Sequence, residues 1–185
     1  MIYVIGPKTK NFDMKHKHFF NVTSHSLDIC KELSPFFLGP VKLYDRFVSK
    51  NVENAWQYSK VYEKFTENGE PTMEYFLWAN LGWTSDKAVR YPMGKSAKPL
   101  YSWWDGHKYG YIDARKNIYV KLYKECAEKT DAYKHLKELY LNDESIVLWD
   151  FDGRDTTKSM KDVLNDPTKT CGHGVVLKMM LMNIV

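Results

Sequence analysis

The sequence predicts one mainly α domain with a few short β-strands. Three observations carry that expectation. The chain has 185 residues and a hydrophobic fraction of 44%, enough to close one core without dividing in two. Apolar residues recur at helical spacing after Asn51, Thr72, Asp113, Thr130 and Gly174, whereas the runs that read as strands are short. No repeat, linker or low-complexity stretch interrupts the pattern.

In order along the chain, residues 2–5 read as a strand stopped by Gly6-Pro7. Residues 15–18 are a basic, histidine-rich patch, which fits a solvated turn or a phosphate contact. Residues 18–22 are a second strand, and Ser26 or Asp28 starts a helical turn through Leu33. A proline-bounded loop over 34–40 leads to short strands at 41–44 and 47–48. A helix over 51–62 follows, capped by Asn51 or Ser49, with Val52, Ala55, Trp56 and Ser59 facing the core. The break at 67–71 precedes a helix over 72–80 that Gly82 ends. Ser85 or Asp86 caps a third helix, which fails at Pro92. After a basic loop over 94–99, Asp105 or Asp113 caps a long helix to about Lys129. Thr130 caps a helix over 131–141. Residues 146–149 are the best strand of the C-terminal half. An acidic loop over 150–157, a short helix over 159–164, a loop over 170–174 and an apolar helix over 175–185 close the chain.

Composition narrows the classes. No apolar run approaches the roughly 18–20 residues of a membrane span, and the N-terminus lacks the basic start and long apolar run of a signal peptide. Cys30, Cys126 and Cys171 are widely spaced, which argues for a reducing compartment and against a disulfide framework or zinc site. These features predict a cytoplasmic protein with no membrane partner. The net charge of +4 permits an anionic ligand without demanding nucleic acid. The basic residues are 23 Lys against 4 Arg; the skew points to an A/T-rich source such as a phage or a low-GC bacterium, hence the cytoplasm of a bacterium or of a phage-infected host.

Glu53, Gln57 and Lys60 form a stripe at i, i+4, i+7 on the helix that starts after Asn51. A carboxylate, an amide and an ammonium there are either a solvated face or one wall of a polar site. Asp150, Asp152 and Asp155 lack the terminal Glu of a calcium loop. The 94–99 loop has one glycine and is no P-loop. His107 and His173 are acid–base candidates with surface and capping roles as the alternative. Trp103 and Trp104 are adjacent, so at least one faces a surface or cleft.

Read in order, several pieces resemble the NADAR family, the YbiA-like proteins. Ser49-x-x-x-Glu53-Asn54-Ala55-Trp56-Gln57-x-x-Lys60 looks like its S-x-E-H-x-x-Q-x-x-K helix, with Asn54 in place of the His. Residues 34–41 resemble its F-S-N-F-x-x-x-P-I start. Residues 88–100 resemble its A-x-x-M-G-R-x-x-S-K-P-L segment, with Lys95 for the Arg. Trp104 and Lys108 resemble its W-x-x-V-K, and residues 175–180 its closing helix, where His173 stands for the opening Asn. The acidic segment of the family has its nearest counterpart in residues 150–155.

The resemblance implies a YbiA-like single domain over 34–185, with residues 1–33 as an N-terminal extension packed on it. It implies an N-glycosidase that hydrolyses the bond between a ribose phosphate and a base. The substrate would be ADP-ribose, a ribosylamino-type compound, or ADP-ribose attached to guanine in nucleic acid. Glu53 would be the catalytic carboxylate, with Asp152 or Asp155 protonating the base or positioning water. Gln57, Lys60, Arg90, Lys95, Lys98 and Lys108 would bind substrate, the cations at phosphate, and Trp104 would stack on the base. No metal or other cofactor is needed. The alternative is an inactive module that keeps the fold and binds ADP-ribose, NAD or a related signalling nucleotide.

Overall fold

The chain opens with β1 (Ile2–Ile5) and β2 (His18–Asn21), then a 3-10 turn (Ile29–Leu33) capped by the Asp28 carboxylate on the Cys30 amide. The computed structural model describes residues 1–154 and 158–185. The hairpin of β3 (Val41–Lys42) and β4 (Val48–Ser49) leads into α1 (Val52–Gln57), where the Asn51 side chain accepts from the Asn54 amide at 2.8 Å. β5 (Lys60–Val61), the hairpin of β6 (Thr66–Glu67) and β7 (Glu70–Pro71), and α2 (Met73–Thr84) come next. β8 (Tyr101–Trp104) and β9 (His107–Tyr109) precede α3 (Tyr111–Ala114), which runs through a π-helical stretch (Arg115–Val120) into α4 (Lys121–Ala127). α5 (Asp131–Leu141), β10 (Ile146–Trp149), α6 (Met160–Asn165) and α7 (His173–Leu181) complete it.

This architecture is mixed α/β and corrects the mainly α expectation. β10 lies at the centre of a parallel sheet, with Ile146 opposite Ile2 of β1 on one side and His18 of β2 on the other. A central parallel strand is covered on both faces and reads as an unbroken apolar run, which Ile146-Val147-Leu148 supplies. Residues 1–33 thus contribute two of this sheet's three strands, and Val22, Cys30 and Leu33 share its core with α4, α5 and α7. A second, antiparallel sheet runs in the order β5-β8-β9. Its hairpin turns at Asp105 and Gly106, both at positive φ, as a two-residue turn of this kind requires. Asp105 is therefore a turn residue and not a helix cap, and the helix begins after Gly110.

The remaining departures have local causes. α1 stops at Gln57 instead of continuing to residue 62, because the Tyr75 hydroxyl donates to the carbonyls of Tyr58 and Ser59 and β5 pairs with β8. α2 passes through Gly82 to Thr84. Gly82 serves close packing: a Cβ there would lie 2.1 Å from the Tyr58 ring. Gly82→Ala is expected to cost roughly 1–3 kcal/mol as overpacking, read as a lowered melting temperature. The helix expected after Ser85 is absent. The buried Asn54 amide donates to the carbonyls of Gly82, Ser85 and Lys87 and accepts from the Val89 amide, so that backbone is held in an irregular course. Among the described residues no helix is long and apolar enough to cross a membrane.

Candidate functional site

α1 lies between two apolar clusters. Val52 and Ala55 pack with the parallel sheet and α7, and Tyr58 packs with α2 and Trp78. Its polar stripe faces a cleft of about 880 Å³ including the open mouth. Residues 34–36, α1, β5, Arg90, α3, the loop after β10 and the start of α7 form the walls.

Glu53 is buried and its Oε1 accepts from Gln57 Nε2 at 2.9 Å; Gln57 Oε1 accepts from Lys60 Nζ at 2.6 Å. The three groups form one chain from carboxylate to ammonium. Lys60 reaches it from β5, not from a further helical turn, and its ammonium lies 4.6 Å from the Trp56 ring centroid. Burial raises the Glu53 pKa above its ordinary 4.5, against the hydrogen bond from Gln57 and the charges of Lys60, Arg90 and His173. Burial lowers the Lys60 pKa to about 8, opposed by Glu53 and assisted by Arg90.

Arg90 enters the cleft from the segment that Asn54 holds. Its guanidinium donates to Asp152 Oδ2 at 2.9 Å, and Asp152 Oδ1 accepts from the Thr170 hydroxyl at 3.1 Å. Asp152 sits where it does because the loop after β10 folds back on the end of β1. At Gly153 a Cβ would lie 2.0 Å from the Ile5 carbonyl oxygen, and at Gly6 it would lie 2.4 Å from that of Gly153. Asp150, also buried, is turned to structure: its Oδ2 accepts from the Gly174 amide at 2.9 Å, placing an anion at the start of α7.

The structure therefore brings Glu53, Gln57, Lys60, Arg90 and Asp152 to one cleft. Lys95, Lys98, Trp104 and Lys108 lie elsewhere. Lys95 and Lys98 are exposed on the loop before β8. Trp104 packs edge-on against Tyr44 at 5.0 Å and joins the main core, while Trp103 on the other face of β8 meets Phe76. Alternation along a strand separates the two rings. Lys108 pairs with Glu70 across the second sheet and its neighbouring hairpin. Asp155 lies outside the described residues.

Sequence reasoning missed several cleft residues. Tyr91, Tyr111 and Phe151 present partly exposed rings to it. Arg115 is buried and donates to the carbonyls of Leu164, Asp166 and Lys169, closing the end of α6; its guanidinium lies 4.6 Å from the Tyr111 ring centroid. Tyr119 also lines the cleft, and burial together with Glu53 raises its pKa far above 10. Burial raises the Cys171 thiol to about 11, so this cleft cysteine is held as the thiol. The Lys-Asn-Ile-Tyr helical pattern around Arg115 carries no local mark of these contacts, which come from segments some fifty residues away. Neither a family model nor a curated protein matches the chain.

Proposed function

We propose that this cleft hydrolyses an N-glycosidic bond between a ribose phosphate and a base, in ADP-ribose, a ribosylamino-type compound or ADP-ribosylated guanine. The observation that carries the reading is the Glu53–Gln57–Lys60 chain, a buried carboxylate tied through one amide to an ammonium at the wall of an open cleft. The likeness of these three positions to the NADAR helix supports it. Cleavage of a ribose C1–N bond develops oxocarbenium character at C1. Glu53 stabilises that charge and takes a proton from the attacking water, and Gln57 fixes its orientation. Lys60 and Arg90 meet phosphate as charge-assisted donors. The rings of Trp56, Tyr91, Tyr111 and Phe151 offer flat apolar surface to the base.

Asp152 favours a second reading. Both of its oxygens are engaged, by Arg90 and by Thr170, so no second carboxylate among the described cleft residues stands free to protonate a leaving base. In that reading the cleft binds ADP-ribose, NAD or a related nucleotide without turnover. Calorimetry with NAD, ADP-ribose, AMP and ribose 5-phosphate, followed by chromatography of the same samples, separates the two. Dissociation constants on the order of micromolar are expected. Base release marks the enzyme, binding alone the module, and silence from all four ligands removes both readings.

The pH profile is a second test. Glu53 acts ionised, and its raised pKa puts the acid limb of kcat/KM above the ordinary 4.5. Lys60 acts as a cation and loses its proton as pH rises through about 8. A bell with its alkaline limb near that value is expected over a scan from about pH 4 to 10. Lys60→Arg, which stays charged, should extend the alkaline limb; an unchanged limb would take Lys60 out of the phosphate-binding role.

A further inference from the structure

The Arg90 guanidinium, a donor suited to substrate phosphate, already holds an anion of the protein's own. One of its nitrogens, Nη2, donates to Asp152 Oδ2 at 2.9 Å. This is a single-donor contact, although a guanidinium can present two parallel N–H groups to a carboxylate or a phosphate. The two side chains are 39% and 28% exposed, so the pair opens on the cleft and solvent screens it. Its two halves are not equally free to leave. Asp152 is fixed: its Oδ1 accepts from the Thr170 hydroxyl at 3.1 Å, and a Cβ at Gly172 would lie 2.8 Å from its own Cβ. Arg90 is tethered at its root, where the neighbouring Val89 amide donates to Asn54 Oδ1 at 2.8 Å. Beyond that root runs a long side chain whose guanidinium lies 5.5 Å from the Tyr91 ring centroid. Among the described residues Asp152 is its one carboxylate partner.

We propose that Asp152 is a specificity-determining residue: it occupies Arg90 as the cleft's own anion, and a ligand enters the phosphate position by taking the guanidinium from it. This role rests on the reading of the cleft as a ribose phosphate site. The cation moves and the carboxylate stays, because Thr170 and the close approach at Gly172 hold Asp152 in place. The exchange sets a threshold for entry. A phosphate monoester carries about two negative charges at neutral pH and three acceptor oxygens. It replaces a one-donor contact to a single charge by a two-donor contact to a larger one. A neutral ribose or nucleoside brings no anion and leaves the pair closed. The released carboxylate remains beside the bound phosphate, and the repulsion between the two is the cost of entry. Lys60, on the same cleft wall, adds its charge to the phosphate side of the balance. The cleft thus selects phosphorylated riboses twice, by the attraction of its cations and by a resident anion that weaker ligands do not displace.

The test is calorimetry at about pH 7 with ribose 5-phosphate, and with ribose as the neutral control, on the wild type and on Asp152→Asn. The substitution keeps an oxygen for the Thr170 hydroxyl and removes the charge. Ribose 5-phosphate is expected to bind about tenfold more tightly to Asp152→Asn than to the wild type, with the response to ribose unchanged. A pair that merely supports Arg90 predicts the opposite sign, since loss of Asp152 would let the guanidinium drift from the cleft. Unchanged or weaker binding overturns the exchange, and so does silence of both proteins toward ribose 5-phosphate. A second measurement needs only the wild type. The Asp152 carboxyl carbon, assigned through the backbone and followed by NMR, should shift on adding ribose 5-phosphate and stay in place on adding ribose. A signal that stays in place while the phosphate binds shows that Arg90 keeps Asp152, and overturns the exchange. Turnover is read separately, as base release. If Asp152→Asn binds more tightly, the carboxyl signal shifts and no base is released, the exchange stands and the hydrolysis reading falls. If base is released while Asp152→Asn binds no more tightly, the hydrolysis reading stands and the exchange falls.

Discussion

Glu53→Gln is expected to fold at least as well as the wild type and to lose turnover by about 10²–10⁴-fold, the range for a positioned acid–base group. The two effects share one cause. The carboxylate is buried, and burial raises its pKa above 4.5, so the folded state holds the proton more tightly than the unfolded chain does. A raised carboxyl pKa contributes stability below the unfolded value, and that contribution is lost as pH rises through the folded value. At neutral pH the wild type therefore carries the cost of a buried charge that Gln removes. The Gln carbonyl can still accept from Gln57 Nε2, so the local geometry is preserved. Thermal melts should show the variant equal to or above the wild type near pH 7, with the gain fading in acid, while ADP-ribose binding persists. Turnover at the wild-type rate would remove Glu53 from the chemistry; a large drop in melting temperature would make it a structural carboxylate.

Much of the frame is legible in the residues, and the misreadings share a pattern. Local marks suffice where an element is closed by its own sequence: Thr130 caps α5 on the Tyr133 amide, and the apolar run Ile146–Trp149 becomes the central strand. The sheet as a whole is not legible, because its parallel partners lie more than a hundred residues apart and each shows only four residues. The stripe of Glu53, Gln57 and Lys60 is found by helical spacing, yet Lys60 arrives from a strand after the helix has ended. Spacing brought the right three groups together, through geometry it does not describe. The Asp105-Gly106 pair between Trp104 and His107 is a hairpin signal, overlooked because Asp also caps helices. Trp104 shows the opposite error: its position suggested a ligand platform, whereas the pleat of β8 turns it into the core beside Tyr44. The cleft walls at residues 150–152 and 170–173 depend on the close approach of Gly6 and Gly153, a contact between segments that lie far apart in the sequence.

Asn54→Ala is expected to be the most damaging single change to the fold of the site, costing about 3–5 kcal/mol. Asn54 is fully buried in the first turn of α1. Its amide nitrogen meets the carbonyls of Gly82, Ser85 and Lys87 at 3.0, 3.3 and 2.9 Å, and its oxygen accepts from the Val89 amide at 2.8 Å. Alanine leaves a cavity and strips a partner from each of these backbone groups, where water has little access. For a chain of this length the loss corresponds to a fall in melting temperature of roughly 10 °C. The helix itself should survive, since its cap is Asn51. What should be lost is the course of residues 85–90, and with it the placement of Arg90 opposite Asp152. Ligand affinity should therefore fall more than in Arg90→Lys, which keeps the charge and the tethered backbone. A variant that melts within about 2 °C of the wild type, with unchanged ADP-ribose binding, would show that the Asn54 amide follows the 85–90 segment and does not hold it.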